Sequence, residues 1–151
     1  MTQPIDMEII NGTLACQRFD GQHLETNWFG STFESVHFSN CRLDRVTMRR
    51  SKWRRCTFES SVMVVDFTDS VFDDCSFRAS TIKGLHGEYG GVRASFTICD
   101  FSGTTFRHVN IRASRFHSCC FTGTTFISCD LRGALHDGVQ ILNTDGSTNN
   151  G

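Results

Sequence analysis

From Phe33 onward a large apolar residue returns at every fifth position, through Phe38, Leu43, Met48, Trp53, Phe58 and Met63. The register then slips by one and resumes as Phe67, Phe72, Phe77 and Ile82, and after an irregular stretch it runs from Phe96 to Leu131. Backwards it extends through Phe29, Leu24, Phe19 and Leu14, with a second slip between Phe29 and Phe33. Two residues before most of these positions stands a small one, such as Ser31, Cys41, Ser51, Cys56, Ser61, Ser70, Cys75, Ser80, Ala94, Cys99, Cys119 or Cys129. The remaining positions are mostly polar. A period of five fits neither an amphipathic helix near 3.6 nor a strand at 2.0. It predicts a coil whose sides are five residues long, two pointing inward and three outward.

Units such as CTFES (56–60), CSFRA (75–79) and CDFSG (99–103) carry a small residue, a polar one, a central Phe and two variable polar residues. In this the chain resembles the pentapeptide-repeat family across residues 13–134. The resemblance implies an all-β fold, a right-handed quadrilateral β-helix with four units per coil and about six coils. Coils one strand spacing apart give a rod roughly 28 Å long. Residues 1–12 are expected to cap the N-terminal end. Residues 135–142, with Leu135, Val139, Ile141 and Leu142, are expected either to cap the other end or to pair with a second copy in a two-fold dimer. Residues 143–151 read as a disordered polar tail.

Counting units in fours places Phe19, Phe38, Phe58, Phe77, Phe96 and Phe116 in one column. The segment Lys83–Gly91, KGLHGEYGG, puts Gly87 where a large residue belongs. Its length fits three units, so it is expected to form a distorted coil rather than an inserted loop.

Composition narrows the chemistry. The chain has 151 residues, 14 Phe, eight Cys and a single Pro. Six Cys hold the small inward position, which marks them as core thiols. Cys56 with Cys75, and Cys99 with Cys119, are expected to stack in pairs on adjacent coils, and Cys120 to point outward. No CxxC pair, phosphate loop, nucleophile elbow or HExxH motif occurs. The expectation is therefore a non-enzymatic protein without metal or cofactor, and, with no apolar stretch of membrane-spanning length, a cytoplasmic one.

The strongest charge signal runs from Arg42 to Arg55, with Arg42, Arg45, Arg49, Arg50, Lys52, Arg54 and Arg55 against Asp44. The following coil holds Glu59, Asp66, Asp69, Asp73 and Asp74. The four-unit register stacks Arg50 on Asp69, Arg54 on Asp73 and Arg55 on Asp74, an inter-coil charge ladder. Arg45, Arg49 and Lys52 are left without such partners.

Net charge is −1, with 15 Lys plus Arg and 16 Asp plus Glu, which argues against direct nucleic-acid or acidic-membrane binding. The resemblance brings in a DNA-mimic alternative, since well-understood family members protect DNA gyrase and topoisomerase IV by resembling duplex DNA. Mimicry over such a length needs on the order of 15 net negative charges. The leading expectation is a rod that binds another protein, in the manner of adaptor, immunity-like or secretion-associated bacterial proteins. Its contacts are expected where the repeat departs from regularity, at His86, Glu88 and Tyr89 in the Gly-rich break and at Arg45, Arg49 and Lys52. A second reading of the break has its glycines relieving strain at a corner and Tyr89 filling the space that Gly87 leaves.

Overall fold

The computed structural model describes residues 3–85 and 90–150. Short parallel strands, two to six residues each, wind into a four-sided β-solenoid of about six turns. The central residue of each unit and the small residue two before it point inward. The second residue after the centre closes the corner in the left-handed conformation, as at Ser35, Asn40, Arg50, Arg55 and Ser60, with φ of 51 to 55°. Each corner therefore needs one residue of unusual φ, which Asn, Asp and Gly take most easily.

The inward residues stack into four columns. On the first face Leu14, Phe33, Trp53, Phe72, Phe96, Phe116 and His136 lie in register. On the second, Phe19, Phe38, Phe58, Phe77, Phe101 and Phe121 stack ring on ring at 4.9–5.4 Å. The third holds Leu24, Leu43, Met63, Ile82, Phe106 and Phe126. Backbone hydrogen bonds set the fourth as Trp28, Met48, Phe67, Gly91, Ile111 and Leu131.

Buried Ser and Thr satisfy backbone groups that the strand ladders leave at the corners, as buried polar groups must. Ser61 accepts from the Cys41 N–H at 3.1 Å, Thr104 donates to the Phe77 carbonyl at 2.6 Å, and Thr124 repeats that bond to Phe101.

Three expectations are corrected here. Trp28 is fully buried and holds the fourth-face column, whereas Phe29 is half-buried and stands off the inward grid. The first slip is thus a four-residue step from Leu24 to Trp28. Phe77 stacks on Phe101, not on Phe96, which instead pairs with Phe72. The reason is the Gly-rich stretch. Consecutive coils place partners 19 or 20 residues apart, but across this stretch Asp69 and Arg93 are 24 apart. The step from Ile82 to Gly91 is one side of the coil with extra residues, so every later column moves round by one face. Consequently Cys56, Cys75, Cys99 and Cys119 form one column of four thiols rather than two pairs.

The rim at the C-terminal end is covered. Leu135–His136 continues the first face and turns back as Val139–Gln140, an antiparallel hairpin. Leu135 and Ile141 are half-buried there, Ile141 packing against the core, while Val139 and Leu142 stand exposed. Residues 143–150, expected as a disordered tail, lie across the rim instead. Asn143 brackets Cys129, accepting from its N–H at 2.9 Å and donating to its carbonyl at 3.0 Å. Thr144 binds both backbone groups of Phe126, and the Leu131 N–H bonds to Asn149. An exposed end of unpaired backbone is costly, and these polar residues satisfy it. At the other end, residues 5–11 lie on the third and fourth faces, where Ile5 bridges to Leu24 and Trp28 donates from Nε1 to the Met7 carbonyl at 2.9 Å.

Candidate functional site

The variation in coil length falls at one corner, between the third and fourth faces. The step from third to fourth face is four residues at Leu24–Trp28 and at Met63–Phe67, but five at Leu43–Met48. The extra residue in the five-residue step is Arg45, which bulges where the register shifts between Asp44 and Val46 and has φ of 53°. One coil further, the Leu85 N–H bonds to the Val65 carbonyl and the Phe67 N–H bonds to the Gly90 carbonyl. Both flanks of the Gly-rich break are thereby fixed to the same corner. His86, Glu88 and Tyr89 themselves lie outside the described residues.

Arg45 and Arg49 were expected to lack partners, and the structure supplies both. Arg45 reaches Glu25 on the preceding coil at 3.4 Å, and Arg49 reaches the buried Asp66 at 3.5 Å. Asp66 is held by Thr68, which donates from both its N–H and its hydroxyl. Lys52 stands on the first face, between Thr32 and Val71 in register, and has no side-chain partner among the described residues. With Glu34, Arg54, Val71 and Asp73 it lines a shallow concavity of about 290 Å³, one face away from the irregular corner.

The charge ladder is also redistributed. Arg54 is in register with Asp73 but makes no ion pair among the described residues. Arg55 turns back to Glu34 rather than forward to Asp74, and Asp69 is taken by Arg93, Nε to Oδ1 at 2.9 Å. Long guanidinium side chains at corners reach either neighbouring coil, so strand register alone does not choose the partner.

A feature the sequence reading missed lies beside the irregular corner. Lys83 and Arg107 are in register on adjacent coils of the third face. Neither side chain has a partner among the described residues. Like charges directly opposite on a sheet are destabilising. Counted as three units, the break sets Lys83 against Ser102, so the pair is not visible from the period alone.

Elsewhere, arginine–carboxylate pairs occur on each face, including Arg55–Glu34, Arg78–Asp100, Arg42–Asp44 and Arg132–Asp130. No group of three or more His, Cys, Asp or Glu among the described residues is placed to hold a metal ion. No helix among them is long and apolar enough to cross a membrane.

Residues 92–127 match the family model for pentapeptide repeats, in eight copies. Residues 92–127 therefore carry pentapeptide repeats. No curated protein sequence matches it. Among solved structures, the chain is similar to trypsin-treated QnrB1, a plasmid-mediated fluoroquinolone resistance protein. That match has 19% identity and a TM-score of 0.44, over 82% of this chain and 74% of that one. It is also similar to HetL, involved in heterocyst differentiation regulation in Nostoc sp. strain PCC 7120, with 12% identity and a TM-score of 0.28 over 95% and 91% of the chains. Rfr23 from the cyanobacterium Cyanothece 51142 gives 9% identity and a TM-score of 0.24 over 86% and 87%.

Proposed function

We propose that this chain is a non-enzymatic rod that binds another protein along the edge between its third and fourth faces. The observation that carries the reading is the gathering of length variation at that one edge. In solenoids, regular units are spent on stacking, and insertions map to one side, often the binding side. The residues beside the edge suggest the partner's chemistry. Lys83 and Arg107 stand in register with no counter-ion among the described residues, and Arg45 bulges from the same edge two coils earlier. An acidic patch on the partner would relieve the repulsion between Lys83 and Arg107 and gain two charge-assisted contacts. The DNA-mimic alternative calls for a continuous anionic face, whereas carboxylates on all four faces here are engaged by arginines.

The test is affinity capture from native lysate with three baits: the natural chain, Lys83→Glu with Arg107→Glu, and His86, Glu88 and Tyr89 changed together to Ala. Melting temperatures are measured in parallel. The reading expects a partner of the natural chain to be lost from the charge-reversed bait at unchanged melting temperature, and its capture to weaken as salt rises. A partner retained by both variants places the contact elsewhere on the rod.

A further inference from the structure

The small inward position before Phe58, Phe77, Phe101 and Phe121 is Cys56, Cys75, Cys99 and Cys119, one thiol on each of four consecutive coils. The Cys120 N–H donates to the Cys99 carbonyl at 3.0 Å, which seats the coil of Cys119 directly on that of Cys99. Stacked Cα atoms at a strand spacing of about 4.8 Å fall inside the span of a disulfide, roughly 4.4–6.8 Å. Three of the four thiols are buried, but Cys119 is half-exposed because the column ends there. His136 covers part of it, and its Nε2 accepts the Cys119 N–H at 3.3 Å.

The two thiols at this end are unlike. Cys99 Sγ donates to the Phe72 and Thr97 carbonyls, and the neighbouring Cys99 thiol holds the Cys119 thiol below its ordinary pKa. The proximity of Cys119, with burial, pushes Cys99 up to about 12. A partly accessible, more acidic thiol beside a second thiol in bonding range is the arrangement of a peroxide-sensitive cysteine and its resolving partner.

We propose that Cys119 and Cys99 form an oxidation site for small hydroperoxides, closing a disulfide between the last two complete coils. In the first step the Cys119 thiolate attacks hydrogen peroxide, an S–O bond forms, the O–O bond breaks and the departing hydroxide leaves as water after taking a proton. Cys119 is then a sulfenic acid. In the second step the Cys99 sulfur attacks the Cys119 sulfur, the S–S bond forms, the S–O bond breaks and the hydroxide leaves as water with the Cys99 proton. One peroxide is reduced to two waters and two thiols are oxidised to one disulfide. Cys120 and Cys16 are exposed too, but the outward Cys120 stacks on Asp100, and Cys16 stands at a corner without a second thiol in its column. Neither has a second thiol stacked in its own column to resolve a sulfenic acid.

The experiment treats the full chain with hydrogen peroxide, removes the excess with catalase, unfolds the protein in an alkylating agent and maps the peptides by mass spectrometry. The expected product is a Cys99–Cys119 linked peptide pair, formed at the same rate at any protein concentration and reversed by dithiothreitol. Cys56 and Cys75 should react slower by at least about tenfold, as buried thiols do. Cys120→Ser should leave the rate unchanged, and Cys99→Ala should convert the product to a Cys119 sulfenic acid that dimedone traps. Full alkylation of both Cys99 and Cys119 after Cys120 has been consumed would overturn the proposal. So would a link from Cys119 to Cys120 or to a second chain, and the natural chain alone decides this if a variant does not fold.

Discussion

The ring of Phe67 fills the space that Gly91 leaves on the fourth face of the next coil. It meets Phe72 edge-on at 5.8 Å and reaches forward to Phe96 at 5.6 Å, so one side chain serves two levels of the column. A methyl group on Gly91 would collide with Cε2 and Cζ of that ring and stand 2.9 Å from Cγ2 of Ile111. Gly91→Ala should therefore cost about 1–3 kcal/mol through overpacking, and Phe67→Ala about 3–5 kcal/mol through the cavity it opens. The two changes together should cost less than their sum, since the smaller side chain makes room for the methyl. Urea denaturation of the two single variants and the double variant measures the coupling, and strict additivity would separate the two residues.

Ion pairing offers a second check on register. Asp69 is bound by Arg93 through two hydrogen bonds, at 2.9 and 3.3 Å, across the coil that contains the break. Reversing Arg93 to Glu should lower the melting temperature slightly at low salt, and Asp69→Lys should restore it. The same exchange at Arg54 and Asp73 should show no coupling, although these two are directly in register. Coupling at Arg54–Asp73 with none at Arg93–Asp69 would return the charges to the ladder expected from strand register.

Different parts of this molecule were legible to different degrees. The five-residue recurrence of large side chains needs no structure to be seen, because each coil must bury one such residue per side. Trp28 and Phe29 show where the period stops deciding: both are large aromatics, and only a four-residue corner after Leu24 selects the first. The same corner hides the break. Gly91 leaves no bulky residue to mark the column, so the count could run through Gly87 and Val92, which placed Phe77 on Phe96. That single step concealed both the four-thiol column and the Lys83–Arg107 pair, because each appears only when coils on the two sides of the break are aligned. Arg45 and Arg49 were found from composition, but their acids Glu25 and Asp66 were not, since guanidinium reach is a property of rotamers rather than of spacing. The closure by residues 143–150 was missed for a further reason. Its Asn, Thr and Ser read as a solvated tail, yet they are the side chains that bond to open backbone at a rim.

That closure makes Asn143 a residue whose removal should be felt. Its side-chain amide accepts from the Cys129 N–H and donates to the carbonyls of Cys129 and Thr148, the latter at 2.7 Å. Asn143→Ala leaves partly buried backbone groups without partners and should cost about 1–3 kcal/mol. Thr148→Ala, at an exposed side chain, should change little. Thermal denaturation distinguishes them, and an Asn143→Ala variant as stable as the natural chain would mean that the rim is satisfied by solvent.

The same end of the rod should respond to acid. Asp137 accepts a hydrogen bond from the Ser118 N–H at 3.0 Å, with His117 at 3.1 Å and His136 at 3.3 Å beside it. The Ser118 bond first, and the nearby imidazoles after it, hold the Asp137 carboxyl below its ordinary value. Asp145 is likewise lowered, first by the Ser147 N–H, and Asp130 is lowered as well, its burial outweighed by hydrogen bonds and charge from Arg132. A carboxyl whose pKa is depressed on folding contributes stability that is complete above its unfolded pKa, about 3.9, and is lost as the pH falls through the folded value. The contribution of these carboxyls to the C-terminal closure should therefore be constant from neutrality down to about pH 4–5 and be lost only below that range. The amide resonance of Ser118, followed by NMR from pH 6 to about 2, should titrate with a midpoint beneath the ordinary Asp value of about 3.9. Asp137→Asn retains an acceptor for Ser118 but has no proton to gain, so it should abolish that titration and flatten the acid limb of the stability curve. A Ser118 midpoint at or above 3.9 in the natural chain would show that folding does not favour the Asp137 carboxylate, and the acid sensitivity of the rim would then have to come from Asp130 and Asp145.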